Sequence, residues 1–331
     1  MKVLVTGATG FVGSHTVAAL AAAGHEVRVL VRNPARIPGS LGALGVEAEV
    51  VQGDMTDPSA AAAAVQGCDV VIHAAAQIGV GGGGPATDTN LAGVRTVVGA
   101  ALEAGVGRVV YTSSITAHTP TDAPSITLDS PLAAATSPYG ATKVAAELLL
   151  RAWQDDGAPI TIVVPGGVYG PDAPDLINSF NAILSALDEM MLVPPTGTTV
   201  VDVRDLAELL GRVATDRKYV PRVLAGGHFV TWRTWVDALE RAVGRPVAHQ
   251  EMTHEEILAL ARDLTAMAVE AGEEPVLTEE AALVMSTGVP LEDADSWRRF
   301  GVTPRSLDDT FRDVIAYLRS IGRVPEPSPE A

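Results

Sequence analysis

The stretch "KVLVTGATGFVGSHTVAAL" (2–20) passes from a short aliphatic run through glycines at 7, 10 and 13 into an alanine-rich helical pattern. That order of strand, tight turn and helix opens a nucleotide-binding α/β unit. Gly7 permits the turn, Gly10 lets backbone N–H groups approach a pyrophosphate, and Gly13 lets helix and strand pack closely. A glycine pattern alone is weak evidence, so the rest of the chain has to agree with it.

It does. "EVRVLVR" (26–32), "EAEVVQGD" (47–54), "CDVVIHAA" (68–75), "GRVVYTSS" (107–114) and "ITIVVPGG" (160–167) join 2–7 as Val/Ile-rich strands, with helical patterns near 12–23, 57–66, 87–104 and 138–155 between them. Strands alternating with helices predict a doubly wound parallel sheet of the Rossmann type, buried on both faces. "TVVDVRDLAELLGRVA" (199–214) reads as one more strand and helix of that core. From about Pro171 the texture changes: prolines cluster, tryptophans appear, and 251–285 is acidic and helical, with Thr253 and Glu256 placed as a capping box. The expected organisation is a dinucleotide-binding core over 1–170 completed by 199–225. A smaller, mainly helical substrate-binding region takes 171–198 and 226–322, and 323–331 is a tail.

The bulk properties narrow the partners. The 331 residues are 47% hydrophobic with a net charge of -17 and no lysine- or arginine-rich run, which argues against nucleic acid or an anionic membrane. Cys68 is the single cysteine, so no intramolecular disulfide forms. Met1-Lys2 leads straight into a strand without a basic, apolar, cleavable leader, and the expectation is a cytoplasmic protein with a small-molecule substrate and no metal site.

At the end of the second strand an acidic residue would bind a ribose hydroxyl and select NAD. Here Arg32 and Arg36 stand there instead, and their charge favours NADP(H), with NAD(H) as the alternative. In "SPYGATKVAAELLL" (137–150), Tyr139 and Lys143 lie one turn apart on one helix face. A nearby ammonium favours phenolate, so the pair predicts a tyrosine of lowered pKa able to exchange a proton, while Val144, Leu148 and Leu149 read as packing residues, against the core or a partner subunit. His15, inside the first helix, reads as structural. His118, beyond the fifth strand, reads as a pocket residue or an inert one.

Taken together, "TGATGFVGSH" (6–15), "GDMTD" (53–57), "HAAA" (73–76), "NLAGVRTVV" from Asn90, "VVYTSS" (109–114), Tyr139 to Lys143, "PGGVYGP" (165–171) and "VDVRDLA" (201–207) resemble the extended short-chain dehydrogenase/reductase family, over roughly the first two thirds of the chain. The resemblance implies that Ser114, with Ser113 as the other candidate, holds a substrate oxygen. It also implies that Tyr139 exchanges the proton, that Lys143 also bonds the nicotinamide ribose, and that Asn90 supports a relay water. Cofactor contacts would fall on Gly7, Thr9, Gly10, Phe11, Val12 and Gly13, on Asp54 and Met55 about the adenine, on Ala74, Ala75 and Ala76, and on Pro165, Gly166 and Val168.

Two departures separate the family's branches. Ile115 and Thr116 follow Ser114 where sugar dehydratases carry an Asp-Glu pair, and Gly167 stands where nucleotide-sugar enzymes usually have asparagine. What remains resembles the reductase branch of dihydroflavonol-reductase-like and hydroxysteroid-dehydrogenase-like proteins. That branch implies hydride transfer between a nicotinamide cofactor and a mostly apolar carbonyl or alcohol. The alternatives are a nucleotide-sugar epimerase or dehydratase with tightly bound NAD, and a non-catalytic NAD(P)-sensing regulator. "VYGPDAPDLINSF" (168–180) and "DEMMLVPPTG" (188–197), with Met190 and Met191, are expected to line the pocket. Helices 87–104 and 138–155 are the candidates for a homodimer interface.

Overall fold

The structure, a computed structural model, describes all residues except 78–85, 136, 177–178, 273–276 and 327–331. The expected tail over 327–331 and positions 177–178 of the pocket stretch therefore lie outside the described residues.

The first half alternates as the sequence predicts. β1 (Lys2–Thr6), α1 (Phe11–Ala22), β2 (Glu26–Val31), β3 (Glu49–Gln52), α2 (Pro58–Val65), β4 (Val70–His73), α3 (Ala86–Glu103), β5 (Arg108–Thr112), α4 (Pro138–Asp155) and β6 (Ile160–Pro165) follow in turn. The second half holds β7 (Gly167–Tyr169), α5 (Ser179–Asp188), β8 (Met191–Val193), β9 (Gly197–Asp202), α6 (Val203–Thr215), β10 (Arg222–Ala225), β11 (His228–Thr231), α7 (Trp232–Val243) and β12 (His249–Glu251). It closes with α8 (His254–Ala271), α9 (Glu279–Ser286), α10 (Ala294–Phe300) and α11 (Leu307–Ser320).

The central sheet has seven strands in the order β10-β6-β5-β4-β1-β2-β3, all parallel. Side-chain alternation divides its core. Val3 and Val5 of β1 pack with Val17 and Leu20 of α1 and with Leu206, Leu209 and Leu210 of α6. Leu4 points the other way, to Val97 of α3 and to Ala146 and Leu150 of α4. Each such fully buried aliphatic side chain contributes about 1.5–3 kcal/mol, which is why strands this short hold.

One strand reading is corrected. The segment at 199–202 does not enter the central sheet: β9 pairs with β7 and β11 in a separate three-stranded sheet, and β10 is the seventh strand of the core. Just past Pro165 the two sheets meet closely: a Cβ on Gly166 would sit 2.3 Å from Thr199 Oγ1, so the position has no room for a side chain. Helix α6 does pack on the core, against α1.

A second core gathers Tyr169, Phe180, Trp235 and Phe311 from β7, α5, α7 and α11. The Thr253–Glu256 capping box opens α8, which packs with α9 around Ile257, Ala261 and Ala282. On α4 the buried residues are Gly140, Thr142, Lys143, Ala146, Glu147 and Leu150, and Leu148 is 59% exposed on the single chain.

Candidate active site

Parallel strands all end on one edge, and the sheet order reverses between β1 and β4, which opens a crevice there. The crevice is a cavity of about 920 Å³. Every residue expected to touch a cofactor lines it, from the 7–13 loop through Arg32, Arg36, Asp54, Met55 and Ala74 to Ala76, on to Pro165, Gly166 and Val168.

The glycine loop is built for an anion. Gly7 has φ +75°, and a Cβ on it would meet Ala75 N at 2.7 Å; a Cβ on Gly13 would lie 2.1 Å from Gly7 O. Gly10, at the start of α1, offers no side-chain cap, and the helix has no acidic residue in its first turn. Unpaired N–H groups and the positive end of the helix dipole thus face the cavity. A close-packed cradle with bare donors fits the pyrophosphate of a dinucleotide.

The arginines at the end of β2 are both drawn to carboxylates. Arg32 Nη1 stands 3.7 Å from Asp54 Oδ2, and Arg36 pairs with Asp175 across the mouth of the cavity. Asp54 accepts from Thr56 N at 2.9 Å and Thr56 Oγ1 at 2.8 Å, and those bonds hold its carboxyl below the usual range.

The opposite wall carries the expected reactive set. Serine, tyrosine and lysine converge from the end of β5 and from α4: Ser114 and Tyr139 both line the cavity, and Lys143 Nζ lies 5.6 Å from the Tyr139 ring centroid. α4 begins at Pro138 with Ser137 as its cap, accepting from Gly140 N at 2.8 Å, which aims the first turn at the sheet edge. The two candidate serines part company. Ser113 is buried and donates to Glu147 Oε1 at 2.5 Å, whereas Ser114 keeps its oxygen at the cavity, where it also accepts from Thr116 Oγ1 at 2.9 Å.

The predicted lowering of the tyrosine pKa does not occur in this arrangement. Burial pushes Tyr139 up to about 12, partly offset by the Ser114 hydroxyl. The ammonium is directed elsewhere: Lys143 donates to Thr112 O at 2.8 Å and to Tyr111 Oη at 3.4 Å, above a Tyr111 ring 4.9 Å away. Burial also pulls Lys143 down to about 8, against the field of Glu147. At neutral pH the tyrosine is therefore a proton donor.

Asn90 is not on the cavity wall. Its Oδ1 accepts from Gln77 N at 2.7 Å, and its Nδ2 donates to Gln77 O at 2.9 Å and to Thr142 Oγ1 at 3.3 Å. The side chain expected to support a relay water is committed to clamping the chain after β4. His118 does not line the cavity either; it is buried between Pro131 O, 3.0 Å from Nδ1, and Glu147 Oε1, 3.5 Å from Nε2. His15 is structural, its Nε2 3.2 Å from Pro171 O and its ring edge-on to Phe11.

The outer part of the cavity departs most from expectation. Met190 is half exposed at the surface and Met191 is buried in the second core, so neither lines it; of 188–197 only Gly197 does. Its apolar surface comes instead from Ile115, Val168, Trp232, Val284, Met285 and Val289. Among the described lining residues the cations are Lys143, beside Tyr139, and Arg32 and Arg36 at the end of β2, with Arg36 held by Asp175. No helix among the described residues is long and apolar enough to cross a membrane.

Comparison with known proteins places this geometry in context. Residues 3–224 match the NAD dependent epimerase/dehydratase family. Sterol demethylase protein B of Methylococcus capsulatus (strain ATCC 33009 / NCIMB 11132 / Bath) is 30% identical over 98% of this chain and 100% of that protein. A 3 beta-hydroxysteroid dehydrogenase/Delta 5-->4-isomerase of Mycobacterium tuberculosis (strain CDC 1551 / Oshkosh) is 42% identical over 34% of this chain, and the match spans only 31% of its own length. The crystal structure of gox2253 superposes with a TM-score of 0.82 at 28% identity, covering 97% of this chain and 99% of that one.

Proposed function

The chain belongs to the NAD-dependent epimerase/dehydratase family, NAD(P)-dependent enzymes that act on hydroxyl and carbonyl groups, and from that premise we propose that it is a reductase or dehydrogenase of a mostly apolar, sterol-like ketone or secondary alcohol, with NADPH the favoured cofactor. The observation that carries this reading is the lining of the outer cavity: apolar side chains beside the serine, tyrosine and lysine, and among the described lining residues no cation besides Lys143 and the two arginines at the end of β2, of which Arg36 is already held by Asp175. A second diphosphate would meet the carboxylate of Asp175 and have to compete with it for Arg36.

The nicotinamide, when bound, supplies or takes up the hydride. Ser114 would donate a hydrogen bond to the substrate oxygen and hold the carbonyl against Tyr139. Tyr139, protonated at neutral pH, would give its phenolic proton to that oxygen as negative charge develops there, and take it back in the oxidation direction. Lys143 would lower the cost of the transient phenolate and bond the cofactor ribose. Ile115 and Thr116 supply no carboxylic acid beside Ser114, so elimination of water lacks its acid and base.

The test is turnover with NADPH and NADH on a panel of ketosteroids, simpler alicyclic ketones and nucleotide sugars. Reduction of the apolar ketones, abolished in Tyr139→Phe with cofactor binding retained, is expected. Epimerisation of a nucleotide sugar by a tightly held NAD would replace this reading with the epimerase one.

A further inference from the structure

The first three ionisable side chains of helix α4 lie a turn apart along one face: Tyr139, Lys143 and Glu147. The third has no place in the chemistry above, yet its side chain is fully buried. Its oxygens are divided between two directions. Oε1 takes the Ser113 proton at 2.5 Å and faces His118 Nε2 at 3.5 Å, while Oε2 pairs with Arg151 Nη2 at 2.7 Å.

A buried carboxylate costs several kcal/mol to desolvate, and a glutamine of the same shape could tie α4 to β5 through Ser113 without that cost. The charge therefore calls for a reason. Lys143, one turn before it, supplies one. Its ammonium is buried, and its bonding partners, Thr112 O and Tyr111 Oη, are neutral. An ammonium so placed tends to lose its proton unless an opposite charge lies nearby. The field of Glu147 opposes the effect of burial at Lys143, while Arg151, 26% exposed, is partly screened by water.

We propose that Glu147 is a positioning residue for the reaction: a buried counter-charge, pinned by Ser113 and Arg151, that keeps Lys143 an ammonium beneath Tyr139. This rests on the reading of Tyr139 and Lys143 given above. The other groups facing the pair are His73 from β4, Tyr111 from β5, His118 from the segment after β5, and Tyr139 and Arg151 of α4 itself. Strand β6 carries no ionisable residue, and of the described side chains of α3, Arg95 and Glu103 are exposed.

The chain has three lysines, at 2, 143 and 218, so Lys143 can be followed directly by NMR of ¹³Cε-labelled lysine, with Lys143→Met assigning its signal. In Glu147→Gln its titration midpoint is expected to fall by about one pH unit or more, and the basic limb of kcat/KM to move with it, so that activity is lost more at alkaline than at neutral pH. In Arg151→Gln, which removes a like charge, the midpoint is expected to rise by about half a unit. An unmoved midpoint with an equal loss of rate at every pH would make Glu147 a purely structural tie and overturn the proposal. If Glu147→Gln does not fold, absence of the upward shift in Arg151→Gln overturns it instead. A midpoint that moves while the limb stays fixed tells against the chemistry assigned to Lys143, and with it the positioning role.

Discussion

Ser113 donates its hydroxyl proton to Glu147 across 2.5 Å in the protein interior, and this bond separates two serines that are adjacent in sequence. Extended backbone turns neighbouring side chains to opposite sides, so fixing Ser113 inward sends Ser114 to the cavity and to Tyr139.

The two alanine substitutions should therefore fail differently. Ser114→Ala removes a hydrogen bond to the developing oxyanion and is expected to lower kcat by about 10²–10³-fold with the melting temperature nearly unchanged. Ser113→Ala leaves a buried carboxylate short of a donor, a loss of about 1–3 kcal/mol in stability, with kcat at neutral pH within a few-fold. Steady-state kinetics beside thermal melts decide it. A dead but stable Ser113→Ala would reverse the assignment.

The cofactor loop offers a separation of fold from binding. A Cβ on Gly13 would lie 2.1 Å from Gly7 O, inside any tolerable contact, whereas on Gly10 the nearest atom within 4 Å is Gly7 O at 3.3 Å. Gly13→Ala should cost about 1–3 kcal/mol or more by forcing α1 from β1. Gly10→Ala should melt within about 1 kcal/mol of the parent yet bind cofactor at least tenfold more weakly, because its methyl occupies the line of approach to the α1 N–H groups. Equal cofactor affinity in Gly10→Ala, measured by fluorescence titration, would move the pyrophosphate elsewhere.

His73 gives a pH dependence with a definite sign. Its Nδ1 lies 2.8 Å from Thr6 Oγ1, and burial, aided by the charge of Lys143, takes the imidazole down to about 3. The unfolded chain takes up that proton near pH 6.5, the folded one only near 3, so between those values the unfolded state binds more protons. The contribution is whole above about 6.5 and is lost as pH falls toward 3. His73→Phe, which keeps a ring against Tyr111 but loses the Thr6 bond, should melt lower than the parent at about pH 7 by roughly 1 kcal/mol and gain on it steadily toward pH 4. Parallel melting curves across that range would show that His73 does not carry the acid lability.

The legible and illegible parts of this site divide by range. The glycine loop and the strand-helix alternation are local, so sequence order carries them, and the burial of Val3 and Val5 on one face with Leu4 on the other follows the period of a strand. The partnership of β9 is not local: its six residues read as a core strand equally well, and it is the pairing with β7 and β11, about thirty residues away on either side, that puts them in another sheet. Met190 and Met285 are alike as sequence, apolar residues near helix ends. What distinguishes them is that α9 folds over the cavity, a contact between segments nearly a hundred residues apart. Glu147 is illegible as a site residue because a carboxylate on a helix ordinarily faces water. The tyrosine pKa is illegible because spacing reports the nearby lysine but not the depth of burial, and burial is the larger effect here.

The arginines at the end of β2 are contested by carboxylates. Arg36 is paired with Asp175 and Arg32 stands near Asp54, so a ribose 2′-phosphate arriving at the end of β2 must share its cations with carboxylates. Asparagine at 175 removes one competitor and one repulsive charge. Asp175→Asn should raise kcat/KM for NADPH a few-fold and leave NADH untouched, while Arg36→Ala and Arg32→Ala should each lower it for NADPH by about tenfold. The comparison within each variant matters more than the absolute rates, because a general disturbance of the cavity mouth would move both cofactors together. A ribose hydroxyl carries no charge for these side chains to read. If the NADPH to NADH ratio stays constant through all three variants, the arginines are solvated surface charges and the preference for NADPH falls.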